Sequence, residues 1–144
     1  MTIRRATIAD LDRLVPLFDA YRQFYEQPSD PAGARAFLTE RFERGDSIVL
    51  IDADGAGFAQ LYPMLSSVRM RPTFILNDLF VQPEARCGGL GHALLQAACT
   101  EARSAGAARM TLSTAVDNSA AHALYVRAGW ERDAQFHTFT IPLG

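Results

Sequence analysis

The chain has 144 residues, of which 49% are apolar and 21% are charged, and these values are ordinary for one globular domain. The net charge of −2 gives no basic field of the kind that nucleic-acid binding needs, so no nucleic-acid partner is expected. The sequence has no apolar run of about 18 residues and no apolar segment behind its N-terminal arginines, so neither a membrane span nor a signal peptide is predicted. Two cysteines without C-x-x-C spacing favour a reduced, cytoplasmic setting.

The first half of the chain predicts a strand, two helices and a hairpin. "TIRRA" alternates apolar and basic residues, which indicates a short strand, and Thr7 then caps a helix that contains Pro16. Residues of that helix recur at helical spacing on one apolar face. A second helix is predicted from Pro31 to about Arg44, with Gly45 at its end. The segments "SIVLIDA" and "GAGFAQLYPML" flank an Asp-Gly pair, which is typical of a β-hairpin.

The second half predicts three more strands and two more helices. In chain order they are the strand "RPTFILNDLFVQP", the helix "GHALLQAACTEARSAG", the strand "ARMTLSTAV", the helix "DNSAAHALYVRAG" and a last strand, "FHTFTIPL". Asp117 or Asn118 is expected to cap the second of these helices. This order of elements predicts one α/β domain over residues 1–144 with a mixed sheet.

The loop "RCGGLG" places Gly88, Gly89 and Gly91 at the start of a helix. Glycines leave backbone N–H groups unshielded, and a helix N-terminus adds unpaired donors and the positive end of the helix dipole. Such a loop suits a pyrophosphate, and Arg86 adds a positive charge nearby. The alternative is a tight turn that needs glycine only for packing. The pattern is neither a Walker loop, which needs G-K-[ST], nor the dinucleotide fingerprint G-x-G-x-x-G.

Two segments carry a resemblance to a known family. "LNDLFVQPEARCGGLGHALL" resembles the acetyl-CoA motif of the GNAT superfamily of N-acetyltransferases, in which a strand leads into [RQ]-x-x-G-x-[GA] and a helix. "TAVDNSAAHALYVRAGWERD" resembles the second motif of that family, and the order of elements is similar nearly end to end. The resemblance implies an α/β (α+β) fold with about six or seven strands and about four helices. It also implies transfer of acetyl from acetyl-CoA to a primary amine, without a metal.

The resemblance further implies how acetyl-CoA would bind. The backbone of residues 79–81 would pair with the pantetheine arm, and the N–H of Leu79 would polarise the thioester carbonyl. Residues 86–92 would cradle the pyrophosphate, although Gly88 stands where a basic residue is common in the family. Asn118 and Ala121 would contact the far side of the cofactor arm. The complete predicted set is Leu79, Phe80, Val81, Arg86, Cys87, Gly88, Gly89, Leu90, Gly91, His92, Asn118 and Ala121.

The catalytic residues implied are Tyr125, Asn77 and Asp78. Tyr125 would protonate the departing CoA thiolate after direct attack by the amine in a ternary complex. Many family members carry Glu where this chain has Asn77, and an amide cannot accept the proton of the amine, although it can hold a water. Asp78 is the nearest carboxylate, but strand alternation points it away from the face of Asn77 unless a β-bulge re-aims it. We expect Asn77 to face the cleft, and the general base stays unassigned.

The acceptor side is less determined by the sequence. In this family the loop between the first two helices borders the acceptor, so Tyr25 and Glu26 are candidates to receive an amine cation, and Ser113 is a candidate to line the cleft. Tyr21 and Phe24 fit the apolar stripe of the first helix better. The expected acceptor is a small-molecule or peptide amine, and a homodimer is frequent in the family. Two alternatives are a non-catalytic CoA-binding sensor or scaffold of the same fold, and a nucleotide-phosphate binder without acyl chemistry.

Overall fold

A computed structural model describes residues 2–144, and within them four helices and five strands follow the predicted order as far as the fourth helix. The strands are β1 (Ile3–Arg5), β2 (Ile48–Asp52), β3 (Gly57–Ser66), β4 (Arg71–Val81) and β5 (Met110–Thr111). The helices are α1 (Leu11–Phe24), α2 (Pro31–Arg44), α3 (Leu90–Ser104) and α4 (Ser119–Arg127). The predicted α/β class with a mixed sheet and four helices is confirmed.

The helix boundaries follow from local signals in the sequence. The Thr7 hydroxyl accepts from a backbone N–H of the next turn while the Asp10 carboxylate accepts from the N–H of Thr7, which forms a capping box ahead of α1. Gly45 ends α2 in the left-handed conformation, with a φ of 62°. None of the helices in the described part of the chain is long and apolar enough to cross a membrane.

The five strands form one sheet in the order β1-β2-β3-β4-β5. The first three pairings are antiparallel, and β5 runs parallel to β4. β5 pairs with β4 only through Met110 opposite Phe74 and Thr111 opposite Ile75. Residues 76–81 of β4 therefore have a strand partner on one side only among residues 2–144, and we call the other side the open edge.

A β-bulge interrupts the pairing of β3 with β4. Gln60 lies opposite Asp78 while the next residue, Leu61, lies opposite Leu76, so Asn77 is an extra residue without a partner on β3. An extra residue reverses the alternation of the strand beyond it. Before the bulge, the even-numbered residues of β4 therefore lie on one face of the sheet. Beyond the bulge, they lie on the other face.

One face of the sheet packs against α1 and α2. On this face Gln60 and Phe58 of β3 lie beside Asp78 and Phe80 of β4. The Tyr21 ring of α1 packs edge-on against the Phe58 and Phe80 rings, with centroids 5.8 and 6.3 Å away. The buried core on this side comprises Leu11, Leu14, Val15, Leu17, Phe18, Ala34, Leu38, Val49, Ile51, Phe58 and Phe80.

The opposite face packs against α3. A Cβ built on Gly57 would lie 2.8 Å from the Phe80 carbonyl oxygen and 3.3 Å from side-chain atoms of both Leu90 and Leu94. The 2.8 Å contact with backbone is shorter than Cβ atoms show in proteins, and the two 3.3 Å contacts are tight, so glycine lets the first turns of α3 pack this closely on β3 and β4. This close packing fixes the start of α3 next to the end of β4.

The prediction of a last strand over residues 136–143 is wrong. No strand forms after residue 111 in the described chain, and the sheet has five strands rather than the predicted six or seven. The side chains of Phe139, Ile141 and Leu143 are 93, 77 and 93% exposed. Alternating apolar residues meet the side-chain requirement of a strand, but a strand also needs a neighbour to accept its backbone hydrogen bonds.

The chain divides into two compact units, one ending at Ser113 and the other comprising residues 114–144. The first unit contains the sheet and α1–α3, and the second contains α4. The single domain over residues 1–144 stays a prediction.

Candidate active site

The loop between β4 and α3 has a backbone suited to an anion. Gly89 precedes α3 with a φ of 87°, and no side chain caps the helix. Cys87 also has a positive φ, of 66°, which is unusual for a residue with a side chain. Left-handed residues in a turn can direct successive N–H groups to one side and form an anion-binding concavity. The uncapped first turn of α3 adds its own donors and the positive end of the helix dipole.

Arg86 fastens this loop to the end of β4. Its Nε donates to the Val81 carbonyl at 2.9 Å. Its guanidinium carbon lies 5.6 Å from the ring centroid of Phe80 and 5.9 Å from that of Phe24, within the range of cation–π attraction. The sequence predicts Arg86 only as a charge beside a phosphate, whereas the structure also gives it this role in holding the loop.

The open edge of β4 presents backbone donors beside the loop. The N–H of Gln82 donates to the Ala56 carbonyl at 2.8 Å, so residue 82 faces β3. Because successive residues of a strand direct their N–H groups to opposite sides, those of Leu79 and Val81 face the open edge. The N–H of Phe74, before the bulge, donates instead to the backbone carbonyl of Arg109, on the β5 side, at 3.1 Å. The bulge therefore determines which residues face the open edge.

Asp78 is a buried carboxylate at the bulge, with only 4% of its surface exposed. The side-chain amide of Gln60 donates to its Oδ2 at 2.6 Å, and that of Asn77 donates to its Oδ1 at 3.0 Å. Burial raises the pKa of Asp78 above its usual value of 3.8, and hydrogen bonds from Gln60, Tyr21 and Asn77 offset part of this rise. The structure thus holds one carboxylate whose affinity for a proton is increased.

The bulge also decides how Asn77 and Asp78 are arranged. The sequence predicts opposite faces for them unless a bulge re-aims Asp78, and the bulge is present. Asn77 is exposed, its amide contacts Asp78, and its carbonyl accepts from the Tyr21 hydroxyl at 3.1 Å. The two residues therefore belong to one hydrogen-bonded group with Tyr21.

Aromatic side chains from the end of α1 lie above this group. Tyr21 is half-buried, and its ring centroid lies 5.2 Å from that of Tyr25, which is 48% exposed. Phe24 is 55% exposed and lies under Arg86. The expectation that Tyr21 belongs to the apolar stripe of α1 is confirmed, because its ring packs against the buried core, and its hydroxyl also contacts the Asn77–Asp78 group. The same expectation for Phe24 is wrong, since Phe24 lies outside the core. Glu26 follows α1 as an exposed residue with a φ of 63°.

Sequence reasoning missed Gln60 and Ser47. Gln60 is fully buried, and its side-chain oxygen accepts from the Ser47 hydroxyl at 2.8 Å. The available signal was a lone amide inside the apolar strand "GFAQLY", because a buried polar side chain needs partners. Ser113, a predicted acceptor contact, is exposed shortly after β5.

The second unit carries the other predicted motif. Asn118 caps α4, and its side-chain oxygen accepts from the N–H of Ala121 at 3.2 Å. The sequence predicts either Asp117 or Asn118 as this cap. Tyr125 is half-buried in α4, and its ring centroid lies 6.2 Å from that of Trp130. Its carbonyl accepts from the N–H of Trp130 at 3.0 Å. Within residues 2–144, no cluster of three or more histidine, cysteine or acidic side chains could hold a metal ion.

Comparisons with known proteins agree with the motifs. Residues 14–130 match the model of the acetyltransferase (GNAT) family. An uncharacterized N-acetyltransferase of Bacillus subtilis (strain 168) is 47% identical over 139 residues, which cover 94% of this chain and 93% of that protein. An aminoglycoside N(6')-acetyltransferase type 1 of Stenotrophomonas maltophilia is 27% identical, over 99% of this chain and 94% of its own length.

A solved structure confirms the fold. The crystal structure of a probable acetyltransferase superposes with a TM-score of 0.94 at 41% identity, covering 100% of this chain and 99% of the other. The matched family region includes the β4–α3 loop, the bulge and α4. The chain belongs to the acetyltransferase (GNAT) family and is an N-acetyltransferase.

Proposed function

We propose that this chain transfers the acetyl group of acetyl-CoA directly to a primary amine while both substrates are bound. The strongest support is that three features occur together within the first unit. They are the uncapped glycine loop before α3, the open edge of β4, and the buried carboxylate of Asp78. Together they offer an anion site, a row of backbone donors and a proton acceptor within one segment of β4 and its loop.

The residues present fit acetyl-CoA, which supplies the acyl group as a thioester. The backbone of residues 86–92 would hold its pyrophosphate, because no capping side chain competes for the first N–H groups of α3. A Cβ on Gly88 would meet only the Ala85 carbonyl oxygen, at 3.7 Å, so the space above the loop is open. The N–H groups of Leu79 and Val81 would bind the pantetheine arm, and that of Leu79 would stabilise the oxyanion.

Asp78 is the proposed general base. A carboxylate with a raised pKa takes up a proton more readily near neutral pH than an exposed aspartate does. The exposed Asn77 amide and the Tyr21 hydroxyl lie between Asp78 and the aromatic end of α1, so the amine proton would reach Asp78 directly or through a water that they hold. Tyr25, Glu26 and Ser113 would contact the acceptor.

Tyr125 is the proposed general acid, on the strength of the second motif. Replacing it by phenylalanine removes only the hydroxyl, so we expect kcat to fall by about 100-fold while the Kd for acetyl-CoA stays nearly unchanged. Thr100→Val is the matched control, because it also removes one hydroxyl, from an exposed residue whose hydroxyl donates to the Gln96 carbonyl of its own helix. If Tyr125→Phe lost acetyl-CoA binding as well as turnover, the assignment of Tyr125 as the general acid would be contradicted.

The acceptor is proposed to be a small-molecule or peptide amine. The test is release of free CoA over a panel of polyamines, aminoglycosides, amino acids and peptide amines, with acetylated products identified by mass spectrometry. Acetyl-CoA binding without product on any acceptor would favour the sensor, and calorimetric preference for ATP or NAD over acetyl-CoA would favour the nucleotide binder. A cytoplasmic homodimer is the proposed state, and light scattering of the purified chain measures its mass.

A further inference from the structure

Gln60 is a buried polar residue that the proposed reaction does not use. None of its surface is exposed, and its neighbours in β3, Ala59 and Leu61, are equally buried. Burying an amide is unfavourable unless its hydrogen bonds are made, so its partners indicate why it is there. It has two, which are the Ser47 hydroxyl and the Asp78 carboxylate.

The Gln60 amide can serve either charge state of Asp78. In the structure its nitrogen donates to Asp78 Oδ2 at 2.6 Å while its oxygen accepts from Ser47 Oγ at 2.8 Å, which is the arrangement that a carboxylate anion needs. A half-turn of the amide exchanges the two ends. The oxygen of Gln60 would then accept from a protonated Asp78, and its nitrogen would donate to Ser47. The nitrogen and the oxygen of Gln60 each have a partner in both arrangements, because a hydroxyl can donate or accept.

We propose that Gln60 and Ser47 are positioning residues that satisfy the hydrogen bonding of Asp78 both as the anion and as the acid, through this half-turn of the Gln60 amide. The inference rests on the proposed function, in which Asp78 is the base. When the acceptor amine loses a proton, an N–H bond breaks and an O–H bond forms on Asp78. When the proton leaves to water, the carboxylate returns and the amide turns back.

Other ionisable groups packed near Asp78 do not replace it in this role. Tyr21 of α1 and Tyr62 of β3 both lie near Asp78. Burial, together with the charge of Asp78, raises the pKa of Tyr62 to about 12. Tyr62 therefore stays neutral over the pH range in which a carboxylate titrates. Beyond Tyr62, the Arg41 guanidinium of α2 lies 3.0 Å from the Asp46 carboxylate. Asp78 is the carboxylate that Gln60 contacts directly.

The first test uses the unaltered protein and needs no acceptor. The carboxyl carbon of Asp78 and the side-chain amide of Gln60 are followed by NMR as pH is varied. The proposal expects both signals to change with one midpoint, because the Gln60 nitrogen exchanges Asp78 for Ser47 when Asp78 is protonated. A Gln60 amide signal that stays constant through the Asp78 midpoint would overturn it.

The second test uses Gln60→Leu, which has a similar volume and no hydrogen-bonding groups, with Gln60→Met as a more flexible replacement. Either variant removes the hydrogen bond to Asp78 in both charge states. Because the bond to the charged anion is stronger than the bond to the neutral acid, the midpoint of Asp78 protonation should rise, by up to about one pH unit. The rising limb of the kcat/KM profile should move by the same amount, with the Kd for acetyl-CoA unchanged. Leu61→Val is the matched control, since it perturbs the adjacent buried position on the other face and should leave the Asp78 midpoint unmoved.

The outcomes separate this inference from the proposed function. A chain that acetylates no acceptor would refute the proposed function, while the NMR titration would still decide whether Gln60 follows Asp78. An Asp78 midpoint that is equal in the wild type and in a folded Gln60 variant would overturn the inference even in an active enzyme. A moved Asp78 midpoint with an unmoved kcat/KM profile would support the pairing of Gln60 with Asp78 and refute Asp78 as the base of the proposed function.

Discussion

A positive charge introduced at Gly88 should tighten the binding of acetyl-CoA. The loop before α3 lacks the basic residue that the family commonly has there, and Gly88 is a position where one can be added at little cost. An added Cβ would meet only the Ala85 carbonyl oxygen, at an ordinary 3.7 Å, and the φ of Gly88 lies outside the left-handed region. Gly88→Arg is therefore expected to leave the loop backbone unstrained.

The size of the gain follows from the exposure of the loop. An ion pair in water contributes up to about 1 kcal/mol, and the positive end of the α3 dipole opposes a cation slightly in the free protein. A net gain of about 0.5–1 kcal/mol corresponds to a Kd that is about two- to fivefold lower. Screening at high ionic strength should remove most of this gain.

The assay is calorimetric titration with acetyl-CoA at low salt and at about 0.5 M salt. Gly88→Gln is the control for side-chain length without charge. Gly89→Arg places the same charge one residue further on, at a φ of 87°, where the side chain is strained, and it should weaken binding. Equal Kd values for Gly88→Arg and Gly88→Gln at low salt would refute the idea that residues 86–92 hold the pyrophosphate.

Three further perturbations test other parts of the structure. Arg86→Ala should weaken acetyl-CoA binding several-fold, since the loop loses a charge and its link to Val81, and Arg86→Lys should restore only part of the affinity in the same titration. Gly57→Ala should lower the free energy of unfolding by about 1–3 kcal/mol in urea, because its Cβ would overlap a β4 carbonyl. The Arg4 guanidinium holds the pKa of Asp10 at about 2 against 3.8, so this pair stabilises the fold above about pH 4 and the contribution is lost as pH falls through 2. Asp10→Asn should lower the free energy of unfolding by about 1–2 kcal/mol near neutral pH, as measured in urea. If the ion pair is responsible, the difference in this free energy between the variant and the wild type should narrow toward pH 2.

The elements of the fold were predictable where local chemistry decides them. The capping box of Thr7 and Asp10, the left-handed Gly45 and the cap at Asn118 are all properties of a few adjacent residues. The glycine loop before α3 is also local, and its left-handed backbone at Gly89 follows from the residues themselves. Such features can be inferred from one sequence because no distant partner is needed to form them.

The features that the sequence did not predict depend on pairing between distant segments. Alternation predicts a strand over residues 136–143, but nothing local shows whether another strand accepts its hydrogen bonds. The contact of Gln60 with Asp78 joins residues 18 positions apart, and it depends on a register that shifts at the bulge. The hydrogen bond of the Tyr21 hydroxyl was not predicted for the same reason, because its partner at residue 77 lies on a different element.

The extra residue at Asn77 connects the geometry of the sheet with the chemistry proposed for it. A residue in regular pairing uses its backbone on its neighbours, whereas Asn77 has no partner on β3, so its backbone carbonyl can accept from Tyr21. Its side-chain amide donates to Asp78, the residue that follows it. A bulge also bends its strand, and the pairing of β4 with β5 ends at Ile75, two residues before it. The open edge, the N–H direction of Leu79 and the hydrogen bonding of Asp78 therefore share one cause.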